Sequence, residues 1–289
     1  MLYPLFVWVK AWRWNVLMRE LGVEAPPLGY STILYMIGLF MGGATPGQSG
    51  DFIKAWYLRE RGRPLAPVLF SIVLDRLFDF LIMAVLSVLS LIVFLHIFPP
   101  GTRSLVQVAT IGFAVLILVL TPALMARRPR DWLMTRALPL VPRRARAPLE
   151  RWRDQFAGLS LRPALLATLL LATVCSATST MVRIYLLFQA LNLTVPLLAI
   201  ISSTALISIL QALPISFSGL GVRDAILIGV LGSYSYGRDL ALSLSALFLL
   251  LNIEHIIVGF LISLRHPLGQ TPPTEAAQAI QETELATDR

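Results

Sequence analysis

Charged residues are scarce in this sequence. They make up 14% of the chain, compared with about 25% in a typical soluble domain, whereas 56% of the 289 residues are hydrophobic and the mean hydropathy is +0.75. This composition excludes an intrinsically disordered chain and argues against a water-soluble enzyme; a soluble protein with an unusually apolar core is the alternative. The single cysteine, Cys175, excludes a disulfide scaffold.

Lysine occurs only at Lys10 and Lys54. Neither residue completes a GxxxxGK[ST] nucleotide-binding loop, and the HExxH, paired CxxC and GxSxG motifs are also missing from the sequence. Nucleotide hydrolysis, zinc hydrolysis and serine-esterase chemistry therefore have no support, and we expect neither a cofactor nor a metal ion.

Four apolar segments are long enough to span a bilayer, which takes about 20 residues. They cover residues 67–98, 105–125, 163–193 and 240–264. Residues 1–18 are similar to the inner end of a further span, interrupted by Lys10 and Arg13. The predicted fold class is therefore all-α, a polytopic helical membrane protein.

The formal net charge of +8 comes from arginine, and ten arginines lie between residues 127 and 162. In a soluble protein this excess would suggest nucleic acid. Beside long apolar runs it is typical of a cytoplasmic loop that follows the positive-inside rule. We therefore predict a multi-pass protein of the plasma or inner membrane, with a basic cytoplasmic loop at 126–162 and no nucleic-acid partner.

Two further apolar stretches, 28–57 and 195–235, are broken by proline and glycine. The topology set by charge requires each stretch to enter and leave on one side of the membrane, the first inside and the second outside. Irregular backbone survives at membrane depth only where it is buried in protein or lines a wet cavity. We therefore predict two re-entrant hairpins that share a cavity; pairs of ordinary tilted spans are the alternative.

The two halves of the sequence match each other at a nearly constant offset. Arg13 corresponds to Arg183, 170 residues later, and Asp79 corresponds to Glu254, 175 residues later. Inverted repeats with broken helices are a pattern of membrane transporters; a duplication kept for packing alone is the alternative. The predicted organisation is a first repeat with a linking span (1–125), the basic loop, a second inverted repeat (163–265) and a disordered cytoplasmic tail (266–289).

Ionisable residues inside the predicted spans cost roughly 2.5–3.5 kcal/mol each on insertion scales unless they are paired or wetted. Arg76 and Asp79 are three residues apart and can pair on one helix face. A structural ion-pair cluster is the alternative to a functional site, and snorkelling to the interface is the alternative for Arg13 and Arg183. The residues in or near the spans are Asp51, Asp75, Arg76, Asp79, Arg183, Arg223, Asp224, Glu254 and His255.

Charged residues also follow the glycines at both predicted hairpin tips. At these tips, exposed backbone N–H groups and a cationic side chain suit an anionic lipid head group. The residues concerned are Asp51 and Lys54 in the first hairpin and Arg223 and Asp224 in the second.

Three motifs together resemble a known family. They are GGATPGQSGDFIKAWYL (42–58), SIVLDRLFDFL (71–81) and ALPISFSGLGVRDAIL (212–227). The sequence is similar, from about residue 8 to residue 264, to the flippase-like membrane family that includes the transmembrane domain of lysylphosphatidylglycerol synthase, also called multiple peptide resistance factor. The family's motif positions fall on Pro46, Gly47, Gly50, Asp51 and Lys54, on Asp75, Arg76 and Asp79, and on Pro214, Ser216, Gly219, Gly221, Arg223 and Asp224. This resemblance implies lipid translocation between leaflets or a membrane domain that serves a lipid pathway.

We therefore predict a transporter or flippase for a membrane lipid substrate, either a phospholipid or a polyprenyl-linked lipid. The alternatives are a membrane enzyme that modifies a lipid head group with a divalent metal held by two carboxylates, Asp75 and Asp79, and a scaffold that anchors a partner. A homo-oligomer stays open. The predicted phosphate or head-group ligands are Lys54, Arg76, Arg183 and Arg223. The predicted cavity or coupling acids are Asp51, Asp75, Asp79, Asp224 and Glu254. The predicted hairpin backbone comprises Pro46, Gly47, Gly50, Pro214, Ser216, Gly219 and Gly221.

Overall fold

The computed structural model describes residues 2–98, 100–137, 162–212 and 221–269, which are helical and contain no strand. This confirms the all-α prediction. Residues 138–161 of the predicted basic loop and 270–289 of the predicted tail lie outside the described residues. The helices are α1 (Leu2–Glu20), α2 (Leu28–Gly43), α3 (Ile53–Glu60), α4 (Leu65–Phe94), α5 (Pro100–Met125), α6 (Arg127–Ala137), α7 (Pro163–Ala190), α8 (Leu197–Ala212), α9 (Val222–Ser233) and α10 (Arg238–Arg265), with 3-10 helices at Pro46–Phe52 and Leu95–Ile97.

Four helices of the described chain are long and apolar enough to cross a membrane. They are α4 with its 3-10 extension, α5, α7 and α10, and they coincide with the four spans expected from the sequence. Their outer faces expose large aliphatic side chains, such as Ile92, Val108 and Leu171. An apolar surface of this extent is what a bilayer would cover.

The chain after α2 folds back along α2 as a hairpin. Near the open end, the Arg61 guanidinium lies 3.6 Å from the centre of the Tyr30 ring. Closer to the tip, the Lys54 ammonium lies 4.1 Å from the centre of the Tyr35 ring. Residue numbers converge along the hairpin, so α2 and α3 run antiparallel and the chain enters and leaves at the same end.

Two glycines permit the close packing at the tip of this hairpin. A Cβ on Gly50 would overlap the carbonyl oxygen of Met41, and a Cβ on Gly38 would overlap the carboxylate of Asp51. The predicted backbone positions Pro46 and Gly47 begin the 3-10 helix that follows the turn. The glycine positions of the first motif therefore have a steric explanation.

The second broken stretch also brings its two ends together. The backbone N–H of Thr194, just before α8, donates to the Tyr236 hydroxyl, just after α9, at 2.8 Å. Gly221 precedes α9 with φ of 86°, in the left-handed region that favours glycine. The other predicted tip positions, Pro214, Ser216 and Gly219, lie outside the described residues.

The open ends of the two hairpins lie at opposite ends of α4. The first precedes the start of α4 and contacts the end of α10, where the Tyr57 hydroxyl donates to the carbonyl of His266 at 2.7 Å. The second meets the end of α4, where Gly229 packs against Ile97. These contacts support an inverted arrangement of the two halves; its orientation in a bilayer stays a prediction.

The order of elements recurs with the offset found in the sequence. The helix before each hairpin ends in the same turn, in which Val23 donates to Met18 and Leu193 donates to Phe188, each at 2.9 Å. Packing is also reciprocal: α2 contacts α10, its counterpart α8 contacts α4, and α1 contacts α7. The interface between the halves is therefore built from equivalent helices.

Candidate functional site

A cavity of about 350 Å³ lies between the two halves of the chain. Helices α1, α2 and α4 contribute one side, and helices α7, α8 and α10 contribute the other. Its wall includes the cations Lys10, Arg76 and Arg183, and the carboxylate of Asp79. The cavity therefore lies at the repeat interface, where the sequence predicts one, and its lining has an excess of positive charge.

Arg13 is the centre of a buried ion-pair network beside this cavity. Its side chain is fully buried, with Nε 2.7 Å from Asp75 Oδ1 and Nη1 2.9 Å from Asp79 Oδ1. The same Nη1 donates to Thr173 Oγ1 of α7 at 2.7 Å, and the Tyr35 hydroxyl donates to Asp75 Oδ2 at 2.7 Å. The network thus joins α1, α2, α4 and α7 through atoms that have little contact with water.

Lys10 extends this network to the cavity wall. Its ammonium is 2.6 Å from Asp79 Oδ2 and 4.9 Å from the centre of the Phe6 ring. Asp79 therefore pairs with two cations of α1. The pairing of Arg76 with Asp79, expected from their spacing on α4, is wrong because partners from other elements take both side chains.

Arg76 instead pairs with Asp51 of the first hairpin. Its Nε and Nη2 lie 2.9 and 2.8 Å from Asp51 Oδ2, while Lys54 Nζ lies 2.9 Å from Oδ1 of the same carboxylate. Lys54 is fully buried between the rings of Trp14 and Tyr35 and is not part of the cavity wall. Among these predicted site residues, only Arg76 lines the cavity.

Arg183 brings a second ion pair to the opposite side of the cavity. Its Nη2 lies 2.9 Å from Glu254 Oε2, and its Nη1 lies 3.0 Å from Nε2 of His255. The Glu254 side chain is 45% exposed, whereas the Arg183 side chain is 11% exposed. The structure therefore brings together two residues that the sequence placed on separate spans.

Arg223 and Asp224 lie away from the cavity, at the contact between α9 and α10. The buried Arg223 donates from Nε to Ser245 Oγ at 2.8 Å, and that hydroxyl donates to Asp224. The Gly221 amide also donates to the Asp224 carboxylate, at 3.3 Å. The structure thus separates this predicted part of the site from Arg76 and Arg183.

Sequence reasoning left Lys10 and Arg13 out of the candidate site. The proposal that Arg13 snorkels to the membrane interface is wrong, since the side chain is buried against Asp75 and Asp79. Two signals pointed to these residues: they interrupt the first apolar run, and Arg13 matches Arg183 in the repeat. Tyr35 and Thr173 carried no comparable signal because tyrosine and threonine are ordinary residues in apolar helices.

The two carboxylates of the DxxxD pattern both have cationic partners. Asp75 contacts Arg13, and Asp79 contacts Arg13 and Lys10. Across the described ranges, no three His, Cys, Asp or Glu residues lie close enough together to hold a metal ion. A divalent cation at Asp75 and Asp79 would have to compete with ammonium and guanidinium groups.

The long apolar helices, together with this cavity, define a multi-pass helical membrane protein. The family model described as lysylphosphatidylglycerol synthase TM region matches residues 1–259, and the chain belongs to this family. No curated protein and no solved structure gives a significant match. Membership of this family gives the protein a role related to membrane lipids.

Proposed function

We propose that this protein moves a phospholipid or a polyprenyl-linked lipid between the leaflets of the membrane, with the lipid phosphate bound in the central cavity. The observation that carries this proposal is the position of Lys10, Arg76 and Arg183 on one cavity wall between the two halves. Guanidinium and ammonium groups bind phosphate oxygens through charge-assisted hydrogen bonds. In transporters built from repeats, substrates bind at such an interface.

The charge of the whole network supports a monoanionic ligand. Five cations and four carboxylates belong to the cavity and its direct ion pairs, which leaves one net positive charge. A phosphodiester carries one negative charge and would neutralise it. The cations are Lys10, Arg13, Lys54, Arg76 and Arg183, and the carboxylates are Asp51, Asp75, Asp79 and Glu254.

Apolar side chains beside these cations suit the rest of a lipid. Phe80, Ile82 and Met83 of α4 and Phe6 of α1 line the same cavity. A lipid is amphipathic in the same way, because its phosphate is joined to hydrocarbon chains. The sequence offers no nucleotide-binding loop, so we expect movement to follow the lipid's own gradient or a proton gradient.

The test is leaflet exchange by the purified protein in vesicles. Phosphatidylglycerol labelled on an acyl chain is followed by chemical quenching of the outer leaflet. We expect Arg76→Gln and Arg183→Gln to slow exchange, because each removes a cavity cation. Arg63→Gln is the matched control, since Arg63 forms an ion pair with the exposed Glu24 and does not line the cavity. Unchanged exchange in both cavity variants would contradict the phosphate site.

The same vesicles test the head-group-modifying enzyme. The ion pairs of Asp75 and Asp79 with α1 argue against a metal-binding role for these carboxylates. We therefore expect a chelator to leave leaflet exchange unchanged. A chemically altered head group that forms only when a divalent cation is present would favour the enzyme instead.

A further inference from the structure

Four hydroxyl groups on the cavity wall donate their protons to their own helices. Thr45, Thr173, Thr180 and Ser208 each donate to the backbone carbonyl four residues earlier, at 2.8, 2.7, 3.2 and 2.8 Å. A hydroxyl has one proton to donate and two acceptor lone pairs. Each of these side chains therefore presents an acceptor, and no donor, to the cavity.

Two of these oxygens also accept a hydrogen bond from the protein. Arg13 donates to Thr173 at 2.7 Å, and the Gly50 amide donates to Thr45 at 2.7 Å. Within the described part of the chain, the hydroxyl oxygens of Thr180 and Ser208 receive no protein donor. These two oxygens are the acceptors that the cavity offers to a ligand.

Acceptors and phosphate-binding donors are close neighbours on this wall. Thr180 and Arg183 are three residues apart on α7, on one helix face and about 4.5 Å apart along the axis. A ligand that fills the cavity displaces water from both groups. An acceptor that loses water without gaining a donor weakens binding, so the favoured ligand carries O–H or N–H groups next to its phosphate.

We infer that the cavity selects phosphate lipids whose head groups carry hydrogen-bond donors, and that Thr180 and Ser208 set this selectivity. This inference rests on the proposed function and adds the chemical class of the head group to it. Phosphatidylethanolamine and phosphatidylcholine provide a matched pair. They carry the same charges, but the ammonium of the first has three N–H donors and the quaternary ammonium of the second has none.

The experiment measures leaflet exchange of acyl-labelled phosphatidylethanolamine, phosphatidylcholine and phosphatidylglycerol by the full chain. Host vesicles contain phosphatidylcholine and phosphatidylglycerol in equal parts. We expect phosphatidylethanolamine to exchange about three- to tenfold faster than phosphatidylcholine, the range that one hydrogen bond commonly gives. The double variant Thr180→Val, Ser208→Ala should abolish this difference by slowing phosphatidylethanolamine alone.

The matched control is the double variant Thr168→Val, Ser243→Ala. Both hydroxyls donate to backbone carbonyls four residues earlier, on α7 and α10, and both residues are exposed outside the cavity. The selectivity should survive in this control. Folding of all variants is compared through their thermal unfolding in detergent.

Three results would overturn parts of this account, and they are distinguishable. Equal exchange of all three lipids by the unaltered protein overturns the selectivity and leaves the proposed function standing. Exchange of none of them overturns the proposed function itself. Equal slowing of all lipids by Thr180→Val, Ser208→Ala removes these two residues as the source of selectivity.

Discussion

Arg13 and Arg183 occupy reciprocal positions on two neighbouring antiparallel helices. Arg13 of α1 donates to Thr173 of α7 at 2.7 Å, and the guanidinium of Arg183 on α7 lies 5.6 Å from the centre of the Tyr3 ring on α1. Positions 13 and 183 are 170 residues apart, as are positions 3 and 173. Each arginine thus contacts the equivalent of the position that its counterpart contacts, as two-fold-related surfaces do.

The two arginines also form equivalent ion pairs of different exposure. The Arg13–Asp79 and Arg183–Glu254 pairs are both 2.9 Å long. Asp79 is 17% exposed, whereas Glu254 is 45% exposed. Water screens the second pair more strongly. We therefore assign the first pair mainly to stability, and the second to the exchange of a carboxylate partner for a ligand phosphate.

Arg13→Gln should be strongly destabilising. It leaves the buried Asp75 without its guanidinium partner, and breaking a buried pair in this way costs about 3–5 kcal/mol. Equilibrium unfolding in detergent measures the loss. Arg63→Gln is the control and should cost at most about 1 kcal/mol, as an exposed pair does. A small and equal effect of both substitutions would show that the buried network contributes little.

Glu254→Gln should strengthen phosphate binding at the second ion pair. The substitution removes the carboxylate that competes for Arg183 and keeps the size of the side chain. We expect faster leaflet exchange at limiting concentrations of phosphatidylglycerol, with the opposite sign to Arg183→Gln. Glu24→Gln removes an exposed carboxylate from the pair with Arg63 and should have no effect. Slower exchange by Glu254→Gln would contradict the competition.

Gly50→Ala should disrupt the first hairpin. The new Cβ would overlap the Met41 carbonyl oxygen, a backbone atom that has no rotamer through which to move away. We expect a large loss in the free energy of unfolding. Gly29→Ala introduces the same methyl group into α2 where nothing lies within 4 Å. This control should be neutral or stabilising by up to about 1 kcal/mol, because alanine favours the helix.

The inverted arrangement predicts which positions share a side of the membrane. In a Cys175→Ser background, cysteines at Glu24 and Leu268 should react together from the inside. Cysteines at Thr102 and Ser235 should react from the outside. Labelling of intact cells with a membrane-impermeant maleimide measures this. Modification of all four positions from the same side would exclude two oppositely facing hairpins.

Parts of the fold could be predicted because they depend on local chemistry. Runs of apolar residues long enough for a bilayer gave the four long helices, and proline with glycine gave the breaks after α2 and α8. The Arg76–Asp79 pairing failed because helical spacing shows only which residues share a face. The actual partner, Asp51, is 25 residues from Arg76 and approaches it only through the hairpin tip.

The sequence by itself determined the class of protein, the long helices, the broken stretches and the equivalence of its two halves. Composition and spacing are properties of neighbouring residues, and they suffice for such conclusions. Only the tertiary structure decided that Lys10, Arg76 and Arg183 share a cavity while Lys54 and Arg223 do not. Ion pairing in an apolar interior depends on distances of a few ångströms between separate helices, and those distances are set by how the helices pack.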